Sequence, residues 1–385
     1  MNETVSQFGG LKMLKEKIVS VLYVCTVELS RNGIVNWLLN YSSSIKELYP
    51  TYEITIVVPK ILDEKLLLKF NDLNINVIEL NNRNKNPLKY IFQLANLVKI
   101  NKFDIVHIHG NSSMMLIDLL GAKLGGCHVN LVHSHSTNTN YPTLNKILKP
   151  IFLHSYTCAF ACGYSSGKWL YGKNNFYIIK NGISFIKFKK NSLKRRKMRE
   201  QFSIEDDIVL GHVGYFDENK NQIFLIRLLN ELNKISPKYS LVLIGDGKNK
   251  DYVFQEVQKY NLENKVKFLG VVSSPSEYMQ TFDIFVLPSF FEGLPYVLIE
   301  AQAMNIPCIV SKDVSEEACL TEKYFSLPLE INQWINTIIS LVKENRVDEN
   351  VPNKELFDFD ISLNTKKLVE QYDKILLNTL SGKHG

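Results

Sequence analysis

Two glutamates separated by seven residues, Glu292 and Glu300, are the pair in this chain best suited to hold a polyol. Ionised carboxylates only accept hydrogen bonds, so each takes donors such as the hydroxyls of a sugar or a ribose. Glu300 sits among Val297, Leu298, Ile299 and Ala301. An unpaired carboxylate in that apolar company is costly, which favours a ligand-facing role over that of an ordinary exposed helix glutamate. Between the two acids, the backbone N–H groups of Gly293 and its neighbours face outward from the start of a helix, a position that complements an anion. Acceptors for hydroxyls beside amides for an anion are what a sugar joined to a nucleotide requires.

For both acids to face one ligand, a strand, a turn and a helix must follow in succession. The apolar run 284–287 suits a buried strand, and residues 288–293 read as a turn. Pro295 stands where a first helical residue tolerates its missing N–H. A helix is expected over 296–304, ended by Asn305 and Pro307, with the next strand at 308–310. Glu292 then lies in the loop at the carboxyl end of a strand and Glu300 two turns into the following helix. In open α/β sheets that crevice is where ligands bind.

The same alternation runs through the chain. Short apolar runs at 18–25, 52–58, 75–80, 104–109, 129–132, 158–162 and 176–179 predict strands, with helices at 34–48, 87–100, 114–124, 144–154 and 166–171. After a basic stretch, strands are expected at 208–213, 241–244 and 266–271, with helices at 222–235, 252–260, 275–281 and 331–344. A final helix over 362–377 is capped by Asp360. The pattern predicts an α/β protein of two doubly wound halves facing each other across a cleft. The expected boundaries are an N-terminal domain at 1–185, a basic linker at 186–205, a second domain at 206–360 and a C-terminal helix at 361–385.

A chain of 385 residues accommodates two cores. Hydrophobic and charged contents of 45% and 22% are those of a soluble globular protein. The net charge of +6 permits an acidic partner without requiring one. No apolar run is long enough to span a membrane, and the first residues lack a signal-peptide core. Six cysteines scattered through apolar context read as free thiols in a reducing cytosol. Cys158 and Cys162 have no second ligand pair beside them, so a metal site there is disfavoured. Seven of the twelve residues 188–199 are Lys or Arg. The reading preferred for this run is a solvated inter-domain face; contact with anionic lipid or a polyphosphate acceptor is the alternative. No aromatic residues interleave with the charges, which disfavours nucleic acid. No dinucleotide glycine motif follows the first strand, which disfavours a nicotinamide enzyme, and no P-loop motif is present, which removes P-loop chemistry. Asp358-Phe359-Asp360 has the spacing of a metal-binding acidic pair, but its place at a helix start is better explained by capping.

The segment PSFFEGLPYVLIEAQAMNIPCIV resembles the signature of family 4 retaining glycosyltransferases, closest to the branch that builds bacterial capsules and exopolysaccharides. The resemblance extends over nearly the whole chain, through IVHIHG at 105–110, VHSHS at 132–136, IIKNGI at 178–183, GHVGYFDENKN at 211–221, LIGDG at 243–247 and VKFLG at 266–270. It implies the GT-B fold of two Rossmann-like domains, with the last helix returning to the N-terminal domain. The implied activity is transfer of a hexose-type sugar from a nucleotide diphosphate donor, uridine favoured over guanosine, to a saccharide acceptor carried on a polyprenyl diphosphate. The implied location is the cytoplasm or the inner face of the membrane.

By the same resemblance, Glu292 contacts the donor sugar and Glu300 grips the ribose. Backbone groups of Gly293, Leu294 and Tyr296 face the sugar and diphosphate, and the segment from Phe268 onward holds the base. Lys220 neutralises the diphosphate, and His135 reaches the sugar from the other domain, with His133 and His109 as weaker candidates. Asn32 and Gly33 replace a glycine pair whose backbone approaches phosphate. No metal is implied for the chemical step. One departure stands out: Tyr215 occupies the place of an arginine that usually accompanies the lysine. Two other readings therefore stay open, a nucleotide-sugar epimerase of the same fold and a non-catalytic partner of another transferase.

Overall fold

The computed structural model describes residues 17–292, 294–343 and 354–382. The chain divides into two units: one holds the described residues up to Gly182 and from Phe359 onward, the other Ile183–Asp358. The first unit is a parallel sheet of seven strands: β1 (Val19–Cys25), β2 (Tyr52–Val58), β3 (Asn76–Glu79), β4 (Ile105–Gly110), β5 (Val129–Ser134), β6 (Cys158–Ala161) and β7 (Tyr177–Ile178). Their order is β3-β2-β1-β4-β5-β6-β7, so the chain reverses direction of travel between β1 and β4. Strands β4 and β5 are buried at every residue, as expected where helices cover both faces.

Helices Pro87–Asn101, Leu116–Leu124, Pro142–Phe152 and Tyr164–Tyr171 share one core on one face of this sheet, built on Tyr90, Leu94, Leu119, Phe152 and Tyr171. The other face is covered by helix Gly33–Leu48 and by the C-terminal helix Ile361–Leu380, which packs on it and on β5. Asp360 caps the C-terminal helix by accepting from the N–H groups of Ser362 and Leu363. Leu368, Val369 and Tyr372 are fully covered there. The Tyr52 hydroxyl donates to Asp373 at 2.5 Å.

The second unit repeats the plan with six parallel strands, β8 (Ile208–Val213), β9 (Tyr239–Ile244), β10 (Val266–Gly270), β11 (Ile284–Leu287), β12 (Cys308–Ser311) and β13 (Tyr324–Leu327), ordered β10-β9-β8-β11-β12-β13. Here the order reverses between β8 and β11. The core is built on Leu225, Leu229, Leu241, Val286 and Trp334.

Three expectations require correction. Residues 192–202 of the expected basic linker form a helix of the second unit, Ser192–Phe202, capped by Asn191. Arg195 and Arg199 turn inward and converge on Asp283, the former at 2.5 Å, and donate to the carbonyls of Gln280, Thr281 and Phe282. Each guanidinium has enough donors to satisfy a carboxylate and chain-end carbonyls together, whereas Lys194, Arg196 and Lys197 remain exposed. Second, helix Glu64–Asp72 and strand β13 were not expected; each is short, the helix buries only Leu66 and Phe70, and no residue of the strand is fully buried. Third, Pro295 is the cap before helix Tyr296–Ala303 rather than its first residue. Of the cysteines, Cys25, Cys127, Cys162 and Cys308 are buried, while Cys319 is exposed.

Candidate active site

The reversal points at β1/β4 and β8/β11 open a crevice at the carboxyl end of each sheet, and the candidate residues collect there unit by unit. In the second unit, Lys220 lies in the loop after β8 and Glu292 in the loop after β11. Their side chains form an ion pair, Lys220 Nζ to Glu292 Oε1 at 2.5 Å, with only 17% and 14% of each exposed. Sequence reasoning gave the two residues separate duties and had no means to foresee the contact, which spans 72 positions. Backbone bonds fix both loops. Asn219 donates from its side chain to the Phe291 carbonyl at 2.9 Å and accepts at its own carbonyl from Phe290 N–H at 2.8 Å. Glu292 is held from the far side, since its carbonyl accepts from Ser315 N–H at 2.9 Å. Asn219 is a positioning residue that sequence reasoning passed over.

The LIGDG loop after β9 presses against the Lys220 loop. Gly245 has φ +137°, and a Cβ there would come 1.9 Å from the Gly214 carbonyl oxygen; at Gly247 it would meet Phe216 backbone at 2.4 Å. These glycines allow two loops to lie in direct backbone contact at the mouth of the crevice. Tyr215 uses its carbonyl to accept from Gln222, while its side chain is exposed, so Lys220 is the cation nearest Glu292 in the described ion pairs.

Glu300 lies in helix Tyr296–Ala303, flanked by fully buried Leu298, Ile299 and Ala301. Its carboxylate has no hydrogen bond or ion pair among the described residues, and burial pushes its pKa up to about 7. Leu294 is half-buried and Tyr296 buried at the start of the same helix; Gly293 lies outside the described residues. Phe268 is in edge strand β10, its ring 5.9 Å from that of Phe254 and 6.3 Å from that of Phe216. The strand ends at Gly270, with φ +64° and open space where a Cβ would stand.

In the first unit, the motifs IVHIHG and VHSHS put His107 and His109 on one face of β4, with His133 paired across from His109 on β5. His135 follows, and its Nε2 is 3.1 Å from His109 Nδ1. Trp37 lies against the rings of His109 and His133 at 4.5 and 4.9 Å. Tyr372, from the C-terminal helix, meets His107 Nδ1 at 2.6 Å. Burial lowers the pKa of all four imidazoles, that of half-buried His135 to about 3, so each is neutral at physiological pH. The nitrogens of His107, His109 and His133 come within 4.8 Å of one another. The His107 and His133 rings are stacked at an interplanar angle of 16°, and the His109 ring lies at 36° and 30° to them. The motifs announced the histidines by their period of two; nothing announced Trp37 or Tyr372 as their cover.

Asn32 caps helix Gly33–Leu48 by accepting from Val35 N–H at 3.0 Å. A Cβ at Gly33 would meet nothing within 4 Å, which leaves the helix N-terminus open to a phosphate.

Two parallel-sheet units, each with polar side chains gathered at its reversal point, have the architecture of the GT-B class of glycosyltransferases. The model for "Glycosyl transferases group 1" matches residues 194–351, and that for "Glycosyl transferase 4-like" matches 29–162. EpsF of Bacillus subtilis, which carries a glycosyltransferase name, is 32% identical over 75% of this chain and 79% of its own. The UDP-Gal:alpha-D-GlcNAc-diphosphoundecaprenol alpha-1,3-galactosyltransferase of Escherichia coli is 26% identical over 76% and 80%. Among solved structures, Anabaena HepE with UDP and glucose superposes with a TM-score of 0.76 at 17% identity, covering 91% of this chain and 98% of that one. The chain belongs to the group 1, family 4-like glycosyltransferases.

Proposed function

We propose that this enzyme is a retaining glycosyltransferase that moves a hexose-type sugar from a UDP-sugar to a saccharide carried on a polyprenyl diphosphate. The observation that carries the reading is the Lys220–Glu292 pair at the reversal point of the second unit, followed in the chain by the helix that bears Glu300. Lys220 meets the diphosphate as negative charge grows on it. Glu292, released from Lys220, accepts from sugar hydroxyls, and Glu300 accepts from the ribose. The backbone at Leu294 and Tyr296 faces the sugar and diphosphate, and the end of β10 beyond Phe268 faces the base. Asn32 and Gly33 offer a helix N-terminus, and His135 offers a neutral imidazole to the sugar. An acceptor hydroxyl bonds to the anomeric carbon on the face from which the diphosphate departs, and its proton passes to a phosphate oxygen of the leaving group. Lys220 supplies the charge for that departure, so the step is proposed to run without a metal. The E. coli relative's name gives a UDP-sugar and an undecaprenyl-diphosphate acceptor, which supports both substrate classes. A polyprenyl-linked acceptor would bring the proposed reaction to a membrane surface, on its cytoplasmic side.

The test is incubation of the protein with UDP-sugars and a synthetic polyprenyl-diphosphate saccharide in the presence of a chelator. The expected result is a lipid saccharide longer by one sugar, with the donor's anomeric configuration. A new free nucleotide sugar formed without acceptor would instead establish epimerisation. An inverted product would remove the front-side mechanism.

A further inference from the structure

We infer that the outer surface of helices Pro87–Asn101 and Pro142–Phe152 is a docking face for an anionic lipid bilayer. The inference deepens the acceptor part of the reading above. Vesicle binding is measured without donor, so failure of either leaves the other standing.

Helix Pro142–Phe152 is the anomaly that prompts it. Leu144, Ile147, Leu148 and Ile151 fall at the i, i+3, i+4, i+7 positions that normally face a core. Instead Leu144, Ile147 and Ile151 are exposed at 45, 63 and 61%, and Phe152 is the helix's one buried residue. The apolar stripe faces solvent. Leu88 and Phe92, one turn apart on helix Pro87–Asn101, add 70 and 68% exposure.

These patches lie at the same end of the sheet. Gly121 is against Leu94 and Gly125 against Val98, so helices Pro87–Asn101 and Leu116–Leu124 run parallel with their starts together. Asn145 ties helix Pro142–Phe152 to that same start, accepting from Ser113 N–H at 2.8 Å. This is the carboxyl end of the strands, and six residues separate His135 from Pro142.

Charge selects the occupant. The two docking helices contain Lys89, Lys99, Lys146 and Lys149 and no acidic residue. The one acid of helix Leu116–Leu124, Asp118, is buried and bound to Arg83 at 2.6 Å. Exposed Leu88, Phe92, Leu144, Ile147 and Ile151 stand beside exposed Lys89 and Lys146, while Lys149 donates to the Trp169 carbonyl at 2.8 Å; apolar side chains with neighbouring lysines fit an interface of acyl chains beneath anionic headgroups. The basic helix Ser192–Phe202 is a poorer candidate, since two of its arginines are committed to Asp283.

Flotation of the full chain with phosphatidylcholine–phosphatidylglycerol vesicles tests the assignment. The wild type is expected to float with them, and to float less with phosphatidylcholine alone. Ile147→Glu/Ile151→Glu should lower partitioning about tenfold or more. Lys194→Glu/Lys197→Glu should change it by no more than about threefold. Thermal unfolding and UDP binding of both variants report folding; should the first fail to fold, Phe92→Gln carries the same test. The inference is overturned if the wild type stays in solution, or if binding follows residues 194 and 197. It is also overturned if the wild type is a dimer that Ile147→Glu/Ile151→Glu makes monomeric, because a second copy of the chain would then own the face.

Discussion

A carboxylate partly withdrawn from water keeps its proton to a higher pH than one in water, and half-buried Glu300, next in sequence to buried Ile299 and Ala301, holds its own up to about 7 against an ordinary 4.5. Between these values the unfolded chain has already lost the proton that the folded chain retains. Stability therefore falls as pH rises through that window, by at most about 3 kcal/mol, and Glu300→Gln should abolish the slope in urea titrations at successive pH values. Donor binding has the opposite dependence. Only the ionised carboxylate accepts from both ribose hydroxyls, so affinity for a UDP-sugar, whose diphosphate diester does not titrate here, should rise with pH and level off above about 7. Calorimetry on Glu300→Gln should give weaker binding with no such rise. A wild-type affinity flat from about pH 6 to 8 would remove Glu300 from the nucleotide site. The Lys220–Glu292 pair predicts non-additivity. Lys220→Ala strands a mostly buried carboxylate and should cost about 1–3 kcal/mol, and adding Glu292→Gln should restore part of that loss in denaturant melts. Transfer should still fall by at least about a hundredfold in Lys220→Ala, in Glu292→Gln and in the double variant. A double variant as unstable as the sum of the singles would mean that the pair does not act as a unit.

At the scale of elements, helix Ser192–Phe202 is joined to the amino end of β11 through Arg195, Arg199 and Asp283, with Asp283 also accepting from Val209 N–H at 2.7 Å. Asp283→Ala leaves two part-buried guanidiniums and a strand N–H without their acceptor. It should destabilise the second unit by about 2–4 kcal/mol, read as a lowered urea midpoint, while the first unit's transition stays in place. This helix also marks where sequence reading stops. Charge density made 188–199 look like solvated linker because the acceptor for its arginines lies more than eighty residues away. Strand β13 was passed over for a similar reason: three of its four residues are only partly buried, Ser326 is exposed, and the strand gains its identity from pairing with β12. By contrast, the strand–loop–helix around Glu292 and Glu300 was legible, because an apolar run, a turn and a proline before a helix are all local signals. The histidines were legible as alternating positions on two strands, but their stacking under Trp37 depends on a cross-strand register that no local signal fixes.

For the whole molecule, the unit boundary makes the C-terminal helix part of the N-terminal unit, although 176 residues of the second unit (183–358) intervene. Leu368, Val369 and Tyr372 are buried on that helix, Tyr372 meets His107, and Asp373 accepts from Tyr52. Deleting 359–385 uncovers this face and strips His107 and Tyr52 of their partners. Each orphaned buried group costs about 1–3 kcal/mol and each lost core side chain about 2–5 kcal/mol; together these rival the 5–15 kcal/mol that holds a domain folded. The second unit keeps its whole core, including Trp334 and Ile338, together with Lys220, Glu292 and Glu300. The truncated chain should therefore lose protease resistance across the first unit, retain a protected fragment beginning near Ile183, and still bind UDP in calorimetry. UDP should raise the melting transition of that fragment, by the equivalent of about 2.7 kcal/mol at a hundredfold excess over Kd. Resistance of both units after truncation would show that the first unit's core closes without the helix. Loss of UDP binding from an intact second unit would mean that the nucleotide depends on residues outside it.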